Sequence, residues 1–234
     1  MTMVMATMKT CKTTLNSIVE EASHVLSDQE AHHEFTTWSQ ELLRRHACTI
    51  LGLLVAIHPS AFTKTISVKL KPGSTQDLAS ECDKFLGVVR FLNPDGSELL
   101  ANESKDIDFL RRMASIPDPC GDTMSPSGIS YSQDPQTPGV ITVVPQVTAD
   151  NEITAEIKCA SVADIIADPD KEFPPEALTL VPAIREWILY SARAADDEIN
   201  DCPMAQQHYN AFLALVPAAA EYLAARAKKI SSKQ

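Results

Sequence analysis

The chain has 234 residues, 44% of them hydrophobic, and a formal net charge of -11. This is the size and composition of one ordinary soluble domain, with or without an extension. The acidic balance argues against a nucleic-acid reader, which presents a concentrated basic face to phosphates, but it is compatible with a conduit through which DNA slides without sticking. The longest apolar run, Ile50–Ile57, is too short to span a bilayer, so we expect no membrane association.

Cysteine usage argues against a metal site and against a disulfide framework. The six cysteines are widely spaced, with no CxxC or similar pair that could supply neighbouring zinc ligands. The N-terminus has no apolar run long enough for a secretory signal. We therefore expect free, reduced cysteines in a cytoplasmic compartment.

Two helices are predicted in the first quarter of the chain. Residues 1–12 are small and polar and read as a flexible arm. Apolar residues then recur at helical spacing over 14–27 and over 37–57. Thr37 with Gln40 fits a capping box at the start of the second helix, and Pro59 should prevent its continuation.

The segment 62–160 is predicted to be β-rich. Alternating apolar and polar residues and runs of β-formers indicate half-buried strands, and Asn93–Gly96 is a strong turn signal. Lys105–Ala114 is predicted as a short helix with Ser104 as its N-cap. Pro117–Gly128 is expected to be a loop. The predicted strands, which we expect to form a small antiparallel sheet, cover residues 65–70, 85–92, 129–132, 140–144 and 153–159.

Two further amphipathic helices are predicted over 181–199 and 204–216, separated by Asn200–Pro203. The main domain would then be 13–216, followed by a tail over 217–234. The predicted fold is mainly α: a four-helix bundle-like core with a small antiparallel β insertion and an extended C-terminal tail.

No motif that carries chemistry is present in the sequence. His32-His33-Glu34 is not followed by a second histidine at helical spacing, so the HExxH pattern is absent. Asp196, Asp197 and Glu198 are consecutive, so on a helix they would point in different directions. No glycine-rich phosphate loop or nucleophile elbow occurs. The sequence predicts no catalytic, cofactor-binding or metal-binding residue, and a non-enzymatic protein.

Several segments in series resemble the head-to-tail adaptor (connector) proteins of short-tailed bacteriophages. The resemblance runs from the first helix to about Val216 and is weaker at 117–128, at 161–171 and beyond Pro217. It is carried by Phe35–Leu43, by Gly87–Leu92 with the following turn, by Ile129–Tyr131 leading through Asp134 to Ile141–Pro145, by Trp187–Ala192 with Asp196–Glu198, and by His208–Leu213.

This resemblance implies a structural virion protein, made in the host cytoplasm, that forms a ring in the neck between capsid and tail. The ring is typically a dodecamer mounted beneath the portal protein, presents a platform to the tail tube or nozzle, and lets DNA pass through its lumen. In such adaptors the C-terminal segment commonly engages the portal. The candidate portal-docking residues here are Tyr222, Arg226, Lys228, Lys229 and Lys233.

Two other interpretations remain open at this stage. The protein could be a non-enzymatic helical interaction or regulatory module that is not part of the virion. It could also be a hydrolase or nuclease whose carboxylates, among them Asp196 or Asp197, come together only in the fold. The basic residues near the C-terminus could contact DNA or a protein partner, or simply complement the dipole of a helix end.

Overall fold

The computed structural model describes residues 12–26, 29–30, 33–34, 37–78, 83–114, 128–134, 136–137, 139–149, 152–195 and 202–231. The helices are α1 Leu15–Val25, α2 Gln40–Ile57, α3 Ile107–Ala114, α4 Ala163–Ala167, α5 Val181–Ala194, α6 Cys202–Leu215 and α7 Pro217–Ser231. The strands are β1 Gln29–Glu30, β2 His33–Glu34, β3 Thr63–Lys69, β4 Gly73–Asp77, β5 Lys84–Leu92, β6 Glu98–Glu103, β7 Gly128–Gln133, β8 Val140–Val147 and β9 Thr154–Ala160. Two compact units result, one formed by 1–57 with 162–234 and the other by 58–161.

The prediction of a mainly α fold is wrong. Strand accounts for 28% of the structure and helix for 50%, which is too much sheet for a four-helix bundle with a small insertion. Unit 58–161 is built around a seven-stranded mixed half-barrel sheet with a hydrophobic core of its own. Within the predicted tail, residues 217–231 form the helix α7.

The seven strands lie in the order β3-β9-β5-β6-β7-β8-β4. All neighbouring pairs are antiparallel except β6 and β7, which run parallel, so the sheet is not the antiparallel one expected from the sequence. The pair β3–β9 is in continuous register from Thr63 opposite Ala160 to Lys69 opposite Thr154. The core of this unit includes Phe85, Phe91, Ile129, Tyr131, Ile141, Val143, Ala155 and Ile157.

Two strands of this sheet, β4 and β6, were not predicted because most of their residues are poor β-formers. Gly73–Asp77 has no large apolar residue, and four of the six residues of Glu98–Glu103 are Glu, Ala or Asn, which strands disfavour. Pairing with β8, β5 and β7 therefore determines their conformation rather than intrinsic preference. Buried Gln76 holds the turn before β4. Its side-chain oxygen accepts from the Lys71 backbone N–H (2.9 Å), and its amide nitrogen donates to the carbonyls of Lys71 (2.7 Å) and Gly73 (3.1 Å).

We call the unit 58–161 the sheet unit and the other one the helical unit. In the helical unit, α5 is the central helix and contacts α1, α2 and α6. Its buried residues Ala183, Ile184, Ile188, Leu189 and Ala192 recur at helical spacing. Pro182 lies in the first turn of α5, where a missing backbone N–H costs nothing. The core of this unit also contains Leu15, Ile18, Val19, Ala22, Leu43, Ala47, Ile50 and Leu54.

The helix starts differ from those predicted. Ser39, and not Thr37, caps α2, because its hydroxyl accepts from the Leu42 backbone N–H at 3.2 Å. Asp106, and not Ser104, caps α3 by accepting from the Phe109 backbone N–H at 2.8 Å. In both cases a residue closer to the first helical turn reaches the unpaired N–H groups. The α2 helix ends at Ile57, before Pro59 as predicted.

Candidate functional site

An aromatic cluster fastens α6 to α5. Trp187 lies edge-on to Tyr190 and to Phe212, with ring centroids 5.4 Å and 5.0 Å apart, and Tyr190 contacts Tyr209 at 4.9 Å. Trp187 and Tyr190 are spaced i, i+3 on α5, and Tyr209 and Phe212 have the same spacing on α6. Each pair therefore lies on one helix face. Such ring pairs add about 0.5–1.5 kcal/mol each beyond the area they bury.

A polar contact reinforces the same helix pair. The Nδ1 atom of His208 lies 2.8 Å from Oε2 of Glu186, and both side chains are largely buried. Arg185 approaches the other carboxylate oxygen of Glu186 at 3.6 Å. The Nε2 atom of His208 is buried and has no hydrogen-bond partner among the described residues. The pair joins the helices α5 and α6.

The last helix, α7, follows α6 after a single intervening residue, Val216. Buried Val216 lies between α6 and α7, and its backbone N–H donates to the Phe212 carbonyl at 2.9 Å. Pro217 begins α7, where its fixed φ is compatible with a helix start. Val216, Ala219 and the half-buried Leu223 follow at i, i+3 and i+7 and form the inward side. Through them α7 contacts α6 and α2.

The predicted docking residues belong to α7 or follow it. Tyr222 is 40% exposed, and Lys228 is exposed on the same helix. Arg226 and Lys229 lie on the α7 backbone, but their side chains are outside the described set, as is the whole of Lys233. The structure therefore brings Tyr222 and Lys228 onto one solvent-facing helix. It leaves the relative positions of the other three side chains untested.

The sequence analysis overlooked a second exposed surface, here named the acidic segment and defined as residues 163–178. It contains five carboxylates (Asp164, Asp168, Asp170, Glu172 and Glu176), all exposed, and one basic residue, Lys171, which pairs with Asp164 at 3.0 Å. Ile166 and Leu178 in the same segment are 41% and 42% exposed. A local charge count would have found it, but the sequence analysis singled out only residues 161–171, as a place where the adaptor resemblance is weaker.

The acidic segment is held firmly against α1. Backbone hydrogen bonds run from the Asn16 N–H to the Pro169 carbonyl (3.1 Å) and from the Phe173 N–H to the Thr13 carbonyl (3.0 Å). The Asn16 side chain also donates to Asp170, and Phe173 is buried. The carboxylates therefore project from an ordered backbone.

Two ion-pair clusters in the sheet unit stabilise the packing of its elements. Arg90 on β5 lies opposite Glu156 on β9 at 2.7 Å and is also 3.7 Å from Glu98, and the hydrogen bond to Glu156 raises the pKa of its guanidinium. Asp134 accepts from the Gln136 backbone N–H at 2.8 Å and from Arg111 at 2.8 Å, and these bonds lower the pKa of its carboxyl group. The first cluster connects neighbouring strands of the sheet, and the second connects the helix α3 to the residues that follow β7.

Residues considered for chemistry do not form a site in the described part of the chain. No group of three or more His, Cys, Asp or Glu side chains that could hold a metal occurs among the residues that the structure describes. Cys48 and Cys159 are free thiols, and burial raises the pKa of Cys48. His32 and Asp196–Glu198 lie outside the described residues, so their arrangement stays untested. No described helix is long and apolar enough to cross a membrane.

Comparison with known proteins adds no family assignment: no protein-family model matches this chain, and no curated protein matches it either. The adaptor resemblance therefore rests on the residues that carry it. Of these, Trp38 and Phe212 are buried, Ile129 and Ile141 are in the sheet core, and Trp187 is in the aromatic cluster.

Proposed function

We propose that the protein is a structural head-to-tail adaptor of a phage virion, which forms a ring between the portal protein and the tail and surrounds the path of the exiting DNA. The observation that supports this most directly is α7. It is a complete helix whose outward half is exposed, and it is joined through Val216 to a helix pair locked by aromatic rings. A rigid body with a projecting helix suits a protein that acts by binding other proteins.

The chemistry of the chain is compatible with this role. The motifs on which the resemblance depends supply core side chains and turns, such as buried Ile129 and the hydrogen-bonded turn Asn93–Gly96. A formal net charge of -11 would let DNA pass a lumen without lasting contacts, because like charges repel at short range. The proposed mechanism is therefore geometric and electrostatic, and it needs no cofactor.

The test is imaging of intact particles together with reconstitution. In phage particles from the genome that carries this gene, cryo-electron microscopy should reveal a ring of this chain at the portal vertex. The purified protein mixed with that phage's portal should form a complex visible by negative stain and mass photometry. Absence of density at the neck and no complex with the portal would reject the adaptor role.

One outcome would favour the interaction or regulatory module instead. The exposed helix α7 would serve such a module equally well, since a docking helix does not by itself specify its partner. Abundance in infected-cell lysate combined with absence from purified particles would support that reading. Metal-dependent turnover lost on replacing Asp196 or Asp197 would instead indicate the enzyme alternative.

A further inference from the structure

We infer that the exposed side of α7 docks onto the acidic segment of a second copy of the same chain. This deepens the proposed function, on which it rests, because it names the contact through which neighbouring copies would join in a ring. The inference stands on two segments of one molecule that have opposite net charge in the sequence and that each expose apolar side chains.

The first surface is the outward half of α7. Ala218, Tyr222 and Ala225 recur at i, i+4 and i+7 and are exposed, on the side away from Val216 and Ala219. Leu215, at the end of α6, is 48% exposed. Alanine has the highest helix propensity, so this alanine-rich segment stays helical with little packing. The helix therefore offers a preformed surface that loses little entropy when a partner covers it.

The C-terminal segment 217–234, which contains α7, has a net charge opposite to that of the rest of the chain. Residues 217–234 contain four basic residues and one acidic residue, which leaves 16 basic and 30 acidic residues for the remainder and a net charge there of -14. Lys228 is exposed, and within the described residues its ammonium group makes no ion pair. A helix dipole accounts for basic residues in a last turn, but it does not account for an exposed Tyr222 beside them.

The second surface is the acidic segment, in which Ile166 and Leu178 supply exposed apolar area among the five carboxylates. An apolar centre with a charged rim is the usual anatomy of a protein–protein contact. Hydrogen bonds to Thr13 and Asn16 fix the backbone of the segment, so it also needs little ordering on binding. Its sign and composition complement those of α7.

Within one chain both surfaces are exposed, so α7 does not cover the acidic segment of its own copy. We therefore assign the contact to a second copy. The two surfaces are different patches, so the contact is heterologous: each copy would donate α7 to one neighbour and receive α7 from the other. A repeated heterologous contact closes into a ring or extends into a filament. Both are consistent with an assembly that grows copy by copy, and the portal is the alternative occupant of α7.

The experiment uses charge reversal of each surface on the full chain. Lys228→Glu with Lys229→Glu disables α7, and Glu172→Lys with Glu176→Lys disables the acidic segment. Mass photometry and sedimentation velocity at low salt measure self-association. Each double variant alone should bind its own kind at least about tenfold more weakly than the wild type, since opposed charges at an interface become like charges. The chain with all four substitutions should regain self-association.

Mixing the two double variants gives the sharpest result. Between them both contacts are complementary, the original pair of surfaces and the reversed pair, so the mixture should regain assembly beyond a dimer although neither variant self-associates alone. Matched controls, Lys105→Glu with Lys158→Glu and Glu41→Lys with Glu103→Lys, change the same charges at exposed positions elsewhere. They should self-associate like the wild type. Circular dichroism of every variant checks that the fold is retained.

Two results would overturn the inference, and neither of them would by itself reject the adaptor role. Wild-type oligomers unaffected by either reversal would mean that copies join through other surfaces. A wild type that stays monomeric at every concentration would exclude docking between copies. In that case, recruitment to the portal lost on Lys228→Glu with Lys229→Glu would keep the adaptor role and assign α7 to the portal, whereas no recruitment would reject both.

Discussion

The imidazole of His208 and the carboxylate of Glu186 lie 2.8 Å apart, Nδ1 to Oε2, between α6 and α5. We expect this contact to be worth more than a surface ion pair, because both side chains are largely shielded from water. His208→Ala should lower the free energy of unfolding by about 1.5–3 kcal/mol, the range for hydrogen bonds to charged groups. Urea unfolding followed by tryptophan fluorescence measures it, since Trp187 lies in the adjoining aromatic cluster.

The neighbouring exposed pair provides the control. Gln206 donates to Asn210 at 2.9 Å on the same helix, one turn apart and fully in water. Gln206→Ala should change stability by less than about 0.5 kcal/mol. A double-mutant cycle of His208→Ala with Glu186→Gln should give a coupling energy of at least about 0.5 kcal/mol. Strict additivity would show that the two side chains do not act as a pair.

Gln76 should be the most sensitive polar residue of the sheet unit. It is buried and makes three hydrogen bonds to the backbone of Lys71 and Gly73, so its replacement leaves those groups unpaired. Gln76→Ala should cost about 1–3 kcal/mol. Hydrogen exchange should localise the loss to residues 70–78. The matched variant Gln146→Ala, at an exposed position on β8, should leave exchange there unchanged.

The pH dependence of the free energy of unfolding near neutrality should depend on His46. Burial, with a smaller contribution from Arg45, lowers the pKa of its imidazole below the ordinary value of 6.5, and its Nε2 atom has no hydrogen-bond partner among the described residues. The unfolded chain therefore binds this proton more readily than the folded chain. Stability should fall as the pH drops through 6.5 towards the folded-state pKa, and this loss should level off below it.

Chemical denaturation between pH 7.5 and pH 5, a window set by the ordinary histidine pKa of about 6.5, tests this. His46→Gln should flatten the decline of stability in that window, whereas His24→Gln, at an exposed position on α1, should not. The lowered pKa of Asp134 acts at lower pH, because a carboxylate loses its contribution only as the pH falls below its unfolded pKa near 4. An unchanged profile for His46→Gln would contradict the assignment.

Local periodicity predicted the helices well and the sheet only in part. Ile184, Ile188 and Ala192 recur at a spacing that only a helix buries on one side, so α5 was visible from sequence. Strand β6 was not, because Glu98–Glu103 consists mostly of residues that strands disfavour, and its parallel pairing with β7 joins residues such as Ala101 and Ile129 that are far apart in the chain. Long-range pairing of this kind decided the fold class.

The two candidate surfaces also differ in how much of each could be predicted from the sequence. The basic character of residues 226–233 could be read directly, and so could the aromatic Tyr222 beside them. The exposure of Ile166 and Leu178 could not, because both look like core residues in isolation. The segment is hydrogen-bonded to Asn16 on α1, and in this arrangement both side chains face solvent. Burial, unlike charge, depends on which elements the fold brings together.

Binding to DNA offers a test of the charge argument independent of assembly. With residues 1–216 strongly acidic, affinity for duplex DNA at physiological salt should be weak, and what remains should come from the basic C-terminal residues. Fluorescence anisotropy with a short labelled duplex, repeated over a range of salt, measures both affinity and slope. Removing residues 226–234 should abolish the residual binding, because the chain then loses its only cluster of four basic residues within eight positions. Tight binding by the truncated chain would mean that a basic surface forms elsewhere in the fold, and a lumen that lets DNA slide would then no longer follow from the charge of this protein.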